Sequence, residues 1–286
     1  MGRVLLVPVR IYEDSMQGAR IIADYLDERG VDVVWAPGIG SDDDCDLDGV
    51  DLVVSLGGDG TLLRAAHIVG GADAEIPILG LSYGHLGFLT CDTEGQDITT
   101  VVGQALAGEL RESRRATIAA TMLGLDDQGR EVVRESTALN EVALSRGGSG
   151  KIVEFEVRVN GRRVTELRSD GLVISTATGS TGYALSAGGP IVDPDFRGMV
   201  CVPIAPHTIR ARAFLTAASD VVEVKITDGR SLDRCVFSDG NDMGKGLVPL
   251  ALRVRRAQRD VILLSNAPDG VGFYDAVSRV FYGQVR

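Results

Sequence analysis

Apolar positions along the chain change their period near residue 115. Before it, Arg3 to Val9, Val31 to Trp35, Asp51 to Leu56 and Ile76 to Leu81 read as short buried strands. Between them Ala19, Ile22, Ala23 and Leu26 fall at i, i+3, i+4 and i+7 of a helix over Ser15 to Arg29, which Gly30 ends. Helical spacing returns at Leu62 to Val69 and at Ile98 to Leu110. Strand and helix in alternation predict an α/β domain with an open, mainly parallel sheet. After residue 115 the period is 2. Val153, Phe155, Val157 and Val159 alternate with Glu154, Glu156 and Arg158, and Val222, Val224 and Ile226 repeat the pattern. Asn160-Gly161 is a type I′ hairpin signal, and Asp228-Gly229 and Asp239-Gly240 supply further turns. The second half is therefore predicted to be an all-β, antiparallel, sandwich-like domain. These periods divide the chain into an α/β domain over 1–114, a β-rich domain over 115–265, and an apolar, aromatic tail over 266–286 that packs back on the body.

Composition narrows the partners. A chain of 286 residues supports about two cores. The net charge of −11 argues against general binding of nucleic acid or anionic membrane, although a few local cations and backbone N–H groups still suffice for a small anion. No apolar run approaches 18 residues, and the apolar start lacks the cleavage pattern of a signal peptide. Cys45, Cys91, Cys201 and Cys235 are scattered without metal-ligand spacing, so they read as reduced thiols and the protein as cytoplasmic.

Candidate chemistry starts at Gly57-Gly58-Asp59-Gly60-Thr61, between a strand and a helix. Glycines there allow positive φ or close approach of a ligand, and the first helical turn offers N–H groups to an anion. A carboxylate in such a turn repels phosphate unless it handles a metal or a proton, so Asp59 points to phosphoryl chemistry. The bland alternative is a tight turn with Thr61 as N-cap. Two imitations fail. Asp44 to Gly49 begins like an EF-hand loop, but Ser55 stands where Glu is required, so the acidic run from Asp42 to Asp51 reads as a solvated loop. Gly147 to Lys151 resembles the end of a P-loop with Ser145 and Ile152 at its two defining ends, although Lys151 could still reach a ligand. A second constellation follows the predicted strand Gly171 to Thr176. Thr178, Ser180, Thr181 and Ser186 offer hydroxyls, Tyr183 a ring for stacking, and Asp170 and Asn140-Glu141 acceptors suited to hydroxyl or amino groups. Its bland alternative is a Ser/Thr-rich loop bonded to itself.

Taken together, these stretches resemble the NAD kinase family. The likeness runs from the Gly57–Thr61 turn through Gly84-His-Leu-Gly-Phe-Leu-Thr90, Leu139-Asn-Glu-Val142, Asp170 to Thr176, Thr178-Gly-Ser-Thr-Gly-Tyr183 and Ser186-Ala-Gly-Gly-Pro190 to Pro206-His207, covering roughly residues 50 to 240. The resemblance implies transfer of the γ-phosphoryl group of ATP, or of a phosphoryl group of polyphosphate, to the adenosine 2′-hydroxyl of NAD. It makes the first domain nucleotide-binding and the second NAD-binding. It implies Asp59 as general base, with Gly60 and Arg64 beside the dinucleotide and Asn140 and Glu141 on a ribose. Lys151, Arg168 and Asp170 would lie along the nucleotides, Thr181, Gly182, Tyr183 and Ser186 would line the adenine pocket, and Phe88 would pack near it. It further implies a divalent metal, taken as magnesium, with ATP, and a homodimer or homotetramer. Gly182, Ala177 and Ser82 stand where the family usually has Ala, Pro and Asn, and Asn241 where it has Gln.

Two rivals share parts of this pattern. A lipid kinase with the same turn would need an apolar pocket or a membrane-seeking basic surface, against which the net charge and the hydroxyl-rich loop speak. A non-catalytic dinucleotide sensor would have no need of Asp59 in its phosphate turn. His67, His85 and His207 could compete for the role of base, but none sits in a comparable glycine turn.

Overall fold

The computed structural model describes residues 2–38, 45–70, 75–83, 87–91, 97–227, 233–266 and 273–283. It divides into two compact units, residues 1–115 with 261–286 and residues 116–260.

The first unit opens with β1 (Arg3–Pro8), α1 (Glu13–Asp27) and β2 (Asp32–Trp35), followed by β3 (Leu52–Leu56), α2 (Asp59–Val69) and β4 (Ile78–Leu81). Then come α3 (Ile98–Leu106) and β5 (Arg111–Arg115). β1, β3 and β4 are apolar and almost wholly buried, as strands of a parallel sheet covered on both faces must be. Ala19, Ile22 and Leu26 of α1 and Val101 and Val102 of α3 join Val4, Leu6, Val54, Leu79 and Leu81 in one core. α2 lies against the other face. Gly80 points that way between Leu79 and Leu81, and a Cβ there would stand 2.6 Å from Leu62 Cδ1. Helix α2 starts three residues before the expected Leu62 and takes in Asp59, Gly60 and Thr61. Gly58, not Thr61, is its N-cap.

The second unit holds two antiparallel sheets built from β6 (Ile118–Leu125), β7 (Glu131–Ala138), β8 (Glu141–Arg146), β9 (Val153–Val159), β10 (Arg162–Ser169) and β11 (Gly171–Ser175). A 3-10 turn (Thr178–Thr181) and the short α4 (Tyr183–Ser186) follow. The unit continues with β12 (Val200–Ile204), β13 (Phe214–Leu215), β14 (Val221–Ile226), β15 (Arg234–Ser238), β16 (Asn241–Asp242) and β17 (Val248–Arg256). One sheet runs β10-β9-β14-β17-β6-β7, the other β13-β12-β11-β8-β15-β16. Their inner faces share a core in which Met122, Phe155, Val157 and Val224 of the first sheet meet Leu144, Leu172, Ile174 and Val236 of the second. This is the sandwich that the period of 2 predicts. Asn160 and Gly161 have φ of 51° and 75°, and Asp239 and Gly240 have 45° and 80°, as type I′ hairpins between β9 and β10 and between β15 and β16 require.

The chain then returns to the first unit with β18 (Val261–Ser265) and α5 (Phe273–Tyr282). β18 pairs parallel with β4 and antiparallel with β5, giving a sheet order β2-β1-β3-β4-β18-β5. This corrects the division at 265, which left these residues in the β-rich domain. Val-Ile-Leu-Leu-Ser carries no alternation, and periodicity does not say which sheet such a run joins. Asp42 to Asp44, Gly84 to Leu86, Asp228-Gly229 and Gly272 lie outside the described residues.

Candidate active site

The first unit's chemistry gathers where β3 runs into α2. Gly57 is needed for space: a Cβ there would stand 2.3 Å from Thr61 Oγ1 and 2.9 Å from Val9 Cγ2. Gly58 and Gly60 do not take positive φ. A Cβ on either would meet nothing, because both face open space. They line a pocket of about 800 Å³ together with Pro8, Val9, Tyr12, Thr61 and Arg64. No side chain caps the start of α2, so its backbone donors face the pocket's contents without a competing cap bond. Arg64 donates to the Pro37 carbonyl and Arg10 to the Ala36 carbonyl at 2.8 Å. Burial, and then the neighbouring Arg10 charge, push the Arg64 guanidinium below its ordinary value. Arg64 lines the pocket with the Arg10 charge close to it, and the carboxylates Glu13 and Asp14 line it as well, so the wall carries both signs.

Asp59, between Gly58 and Gly60, is not among the described residues that line that pocket. Its carboxylate accepts the backbone N–H of Phe88 at 3.0 Å and of Leu89 at 3.2 Å. Gly87 lies so close that a Cβ would stand 2.0 Å from Asp59 Oδ1. The ring of Phe88 stacks on Phe281 and tilts against Phe273, partners that sequence reading did not name.

In the second unit Asn140 stands between β7 and β8, and Glu141 opens β8. Asp239, at the β15–β16 turn, accepts the N–H groups of Leu139, Asn140 and Glu141 at 2.6, 2.9 and 3.0 Å. Asn140 Oδ1 and Glu141 Oε2 are buried without a hydrogen-bond partner among the described residues. Burial first, and then the nearby Asp239 charge, push the Glu141 carboxyl up to about 7, while a hydrogen bond from the Tyr183 backbone opposes the rise. Gly182 faces this pair. Its φ is −92°, and a Cβ there would stand 3.4 Å from Glu141 Oε2 and 3.6 Å from Asn140 Nδ2.

Several hydroxyls at and beside this loop already have partners in the protein. Ser175 and Thr176 donate to the carbonyls of Asn140 and Leu139, and Ser180 both donates to and accepts from the Val192 backbone. The chain from Ala177 to Val192 lies on the outer face of the second sheet, where Ala177, Ala184 and Val192 pack on Ala143, Val173 and Val202. Thr181 is half-buried and bonds weakly to the Thr178 carbonyl, while Tyr183 and Ser186 are exposed beside it.

The remaining predicted residues have other partners or lie exposed. Asp170 pairs with Arg146 at 3.2 Å and Arg168 with Glu154 at 2.8 Å. Lys151 is exposed near Asp233, whose carboxylate accepts the Ser149 N–H. Asn241 is exposed in β16. Sequence reasoning missed Arg10, Asp239 and Arg146. The Asp239-Gly240 turn signal located Asp239, but not the three backbone donors it would meet.

Residues 42–110 match the ATP-NAD kinase N-terminal domain, and residues 139–264 the ATP-NAD kinase C-terminal domain. The NAD kinase of Alcanivorax borkumensis is 38% identical over 256 residues, which span 89% of this chain and 79% of that protein. Among solved structures, the yeast NADH kinase complexed with NADH has a TM-score of 0.85 at 21% identity, over all of this chain and 89% of that one. The NAD kinase from Archaeoglobus fulgidus in complex with ATP has 0.72 at 23%, over 98% of each. At those identities the two structures speak for the fold, whereas the two domain matches and the identity over most of the chain establish that this protein belongs to the NAD kinase family.

Proposed function

We infer that the protein is an NAD kinase, transferring the γ-phosphoryl group of ATP to the adenosine 2′-hydroxyl of NAD. The observation that carries the reading beyond family membership is the pair of orphaned acceptors, Asn140 Oδ1 and Glu141 Oε2. A buried oxygen without a donor costs about 1–3 kcal/mol, and a ribose diol supplies two donors at sugar spacing. Protonation of Glu141, whose carboxyl is pushed up to about 7, would let it also donate to a sugar oxygen. Tyr183 and Thr181, next to this pair, are suited to an adenine face and its edge.

The pocket lined by Gly58, Gly60 and Arg64 is the one we assign to the phosphates; Glu13 and Asp14 also line it, so a divalent cation would have to accompany them. Phosphoryl transfer is mostly positioning and charge neutralisation, and a sugar hydroxyl is a poor nucleophile at pH 7. Asp59 is the group in this chain suited to take the hydroxyl proton, worth about 10²–10⁴-fold. Two backbone donors already hold its carboxylate in one orientation. Among the described residues no three His, Cys, Asp or Glu side chains converge. A magnesium ion arriving with ATP would be held mainly by the substrate's phosphates and its own waters. When bound, the metal would neutralise charge on the phosphate oxygens. We further propose a cytoplasmic homo-oligomer; among the described residues no helix is long and apolar enough to cross a membrane.

The test is purified protein with ATP, magnesium and NAD, read by a cycling assay specific for NADP. NADP accumulation is the expected outcome. NAD binding without NADP from ATP, other triphosphates or polyphosphate would instead make the protein a dinucleotide sensor.

A further inference from the structure

Helix α5 presents Phe273, Val277 and Phe281 at i, i+4 and i+8, along one face. Val277 is buried. The Phe88 ring stacks on Phe281 with centroids 5.7 Å apart and planes 23° apart, and meets Phe273 at 6.4 Å and 50°. The residue held by its ring is also the one whose backbone holds Asp59, since the N–H groups of Phe88 and Leu89 bond the two carboxylate oxygens. Gly87 leaves no slack on the near side, where even a methyl group would collide with the carboxylate. On the far side Cys91 is fixed, its N–H on the Gly80 carbonyl at 2.7 Å and its Sγ on the Leu264 carbonyl at 3.1 Å. Between those anchors the Gly87 N–H reaches Thr90 Oγ1 at 3.3 Å, and the aromatic stack on α5 packs on the Phe88 ring beside the two amides.

We propose that the C-terminal helix positions the reacting carboxylate: Phe281, by stacking on Phe88, holds the Phe88 and Leu89 amides against Asp59 and so fixes its orientation for proton transfer. The proposal rests on Asp59 being the base. Phe281 is a positioning residue that acts through Phe88. Displacement of a reacting group by about 1 Å costs about 10²-fold in rate, so loss of the ring should reach turnover more than substrate binding.

The experiment compares wild type, Phe281→Ala, Phe281→Tyr, Asp59→Asn and the Phe281→Ala/Asp59→Asn double variant. Expected for Phe281→Ala is a fall in kcat of roughly 10–10²-fold, with KM for NAD and ATP nearly unchanged. Phe281→Tyr, which keeps the ring, should restore kcat. In the Asp59→Asn background the alanine should lower turnover little further, because both changes act on one group. Hydrogen exchange of the Phe88 and Leu89 amides, read on the same proteins, does not depend on turnover; it should quicken with Ala at 281 and return to the wild-type rate with Tyr. Full activity with unchanged exchange in Phe281→Ala would overturn the proposal, as would an equal loss of kcat in both backgrounds. Wild-type turnover in Asp59→Asn would remove the base itself, while the exchange data would still report whether α5 holds the amides. Phe281 is partly exposed, so the alanine variant should fold; a thermal melt of each variant checks that, and Phe281→Leu replaces it if it does not.

Discussion

Asp59 and Glu141 are the two carboxyls to which we assign the chemistry, and the structure treats them in opposite ways. Asp59 is half-buried, with an N–H donor on each oxygen. Asp59→Asn should retain NAD binding and lose roughly 10²–10⁴ in turnover, because an amide cannot take the hydroxyl proton. The structure adds a qualification: Asn has one acceptor oxygen for two backbone donors, so the variant should also lose about 1–3 kcal/mol of stability from the donor left unpaired. If Asp59 served a metal instead, high magnesium would recover part of the rate; titration at saturating ATP and NAD separates the two roles.

Glu141 instead sits in a site that disfavours its charge. Its folded pKa, raised by burial and by Asp239 to about 7, lies above the ordinary value of 4.5. The folded state therefore binds more protons than the unfolded state between those values. Stability must fall as pH rises from about 4.5 to 7, by an amount on the order of 3 kcal/mol, and stay reduced above it. Glu141→Gln should remove this slope and gain on wild type in denaturant unfolding at pH 8 but not at pH 4.5. A difference between the two proteins that is flat with pH would show that Glu141 is ionised in the fold.

At the scale of elements, turns and helix starts do the positioning. The Asp239-Gly240 hairpin was legible as a turn, since both residues take the positive φ that type I′ demands. That its carboxylate would collect the N–H groups of residues 139 to 141, about 100 residues earlier, was not legible, because it depends on β15 pairing with β8. Asp59-Gly60-Thr61 reads from sequence as a turn, because Gly57, Gly58 and Gly60 permit positive φ, and Gly costs a helix about 1 kcal/mol. Tertiary packing overrides that cost: Leu62, Ala65 and Val69 bury against the sheet and carry the helix back to Gly58. The glycine turn is thereby a helix N-terminus, with Asp59 in its first turn and Gly58 and Gly60 open to the pocket.

For the whole molecule, the decisive feature is that the chain comes back. β18 lies between β4 and β5, so the first sheet is incomplete until the second unit has been made. A chain ending at Asp260 would expose the β4 edge and lose Ile262 and Leu264 from the core, and it should show no cooperative unfolding of the first unit. A chain ending at Ser265 keeps the strand and should unfold cooperatively, with the kcat defect expected from loss of α5. Circular dichroism with denaturant titration distinguishes the two, and a cooperative transition in the shorter chain would show that β18 is dispensable. By itself the sequence determined the change of period near residue 115, hence a parallel α/β part and an antiparallel sandwich, and it marked Asp59, Asn140 and Glu141, because spacing and turn chemistry are local. Only the tertiary structure decided which sheet takes Val261–Ser265, that Asp170 and Arg168 face Arg146 and Glu154, and that Phe88 and Leu89 grip Asp59 beneath α5. Those are contacts between residues far apart in the chain, where burial and donor–acceptor pairing, not local propensity, choose the partner.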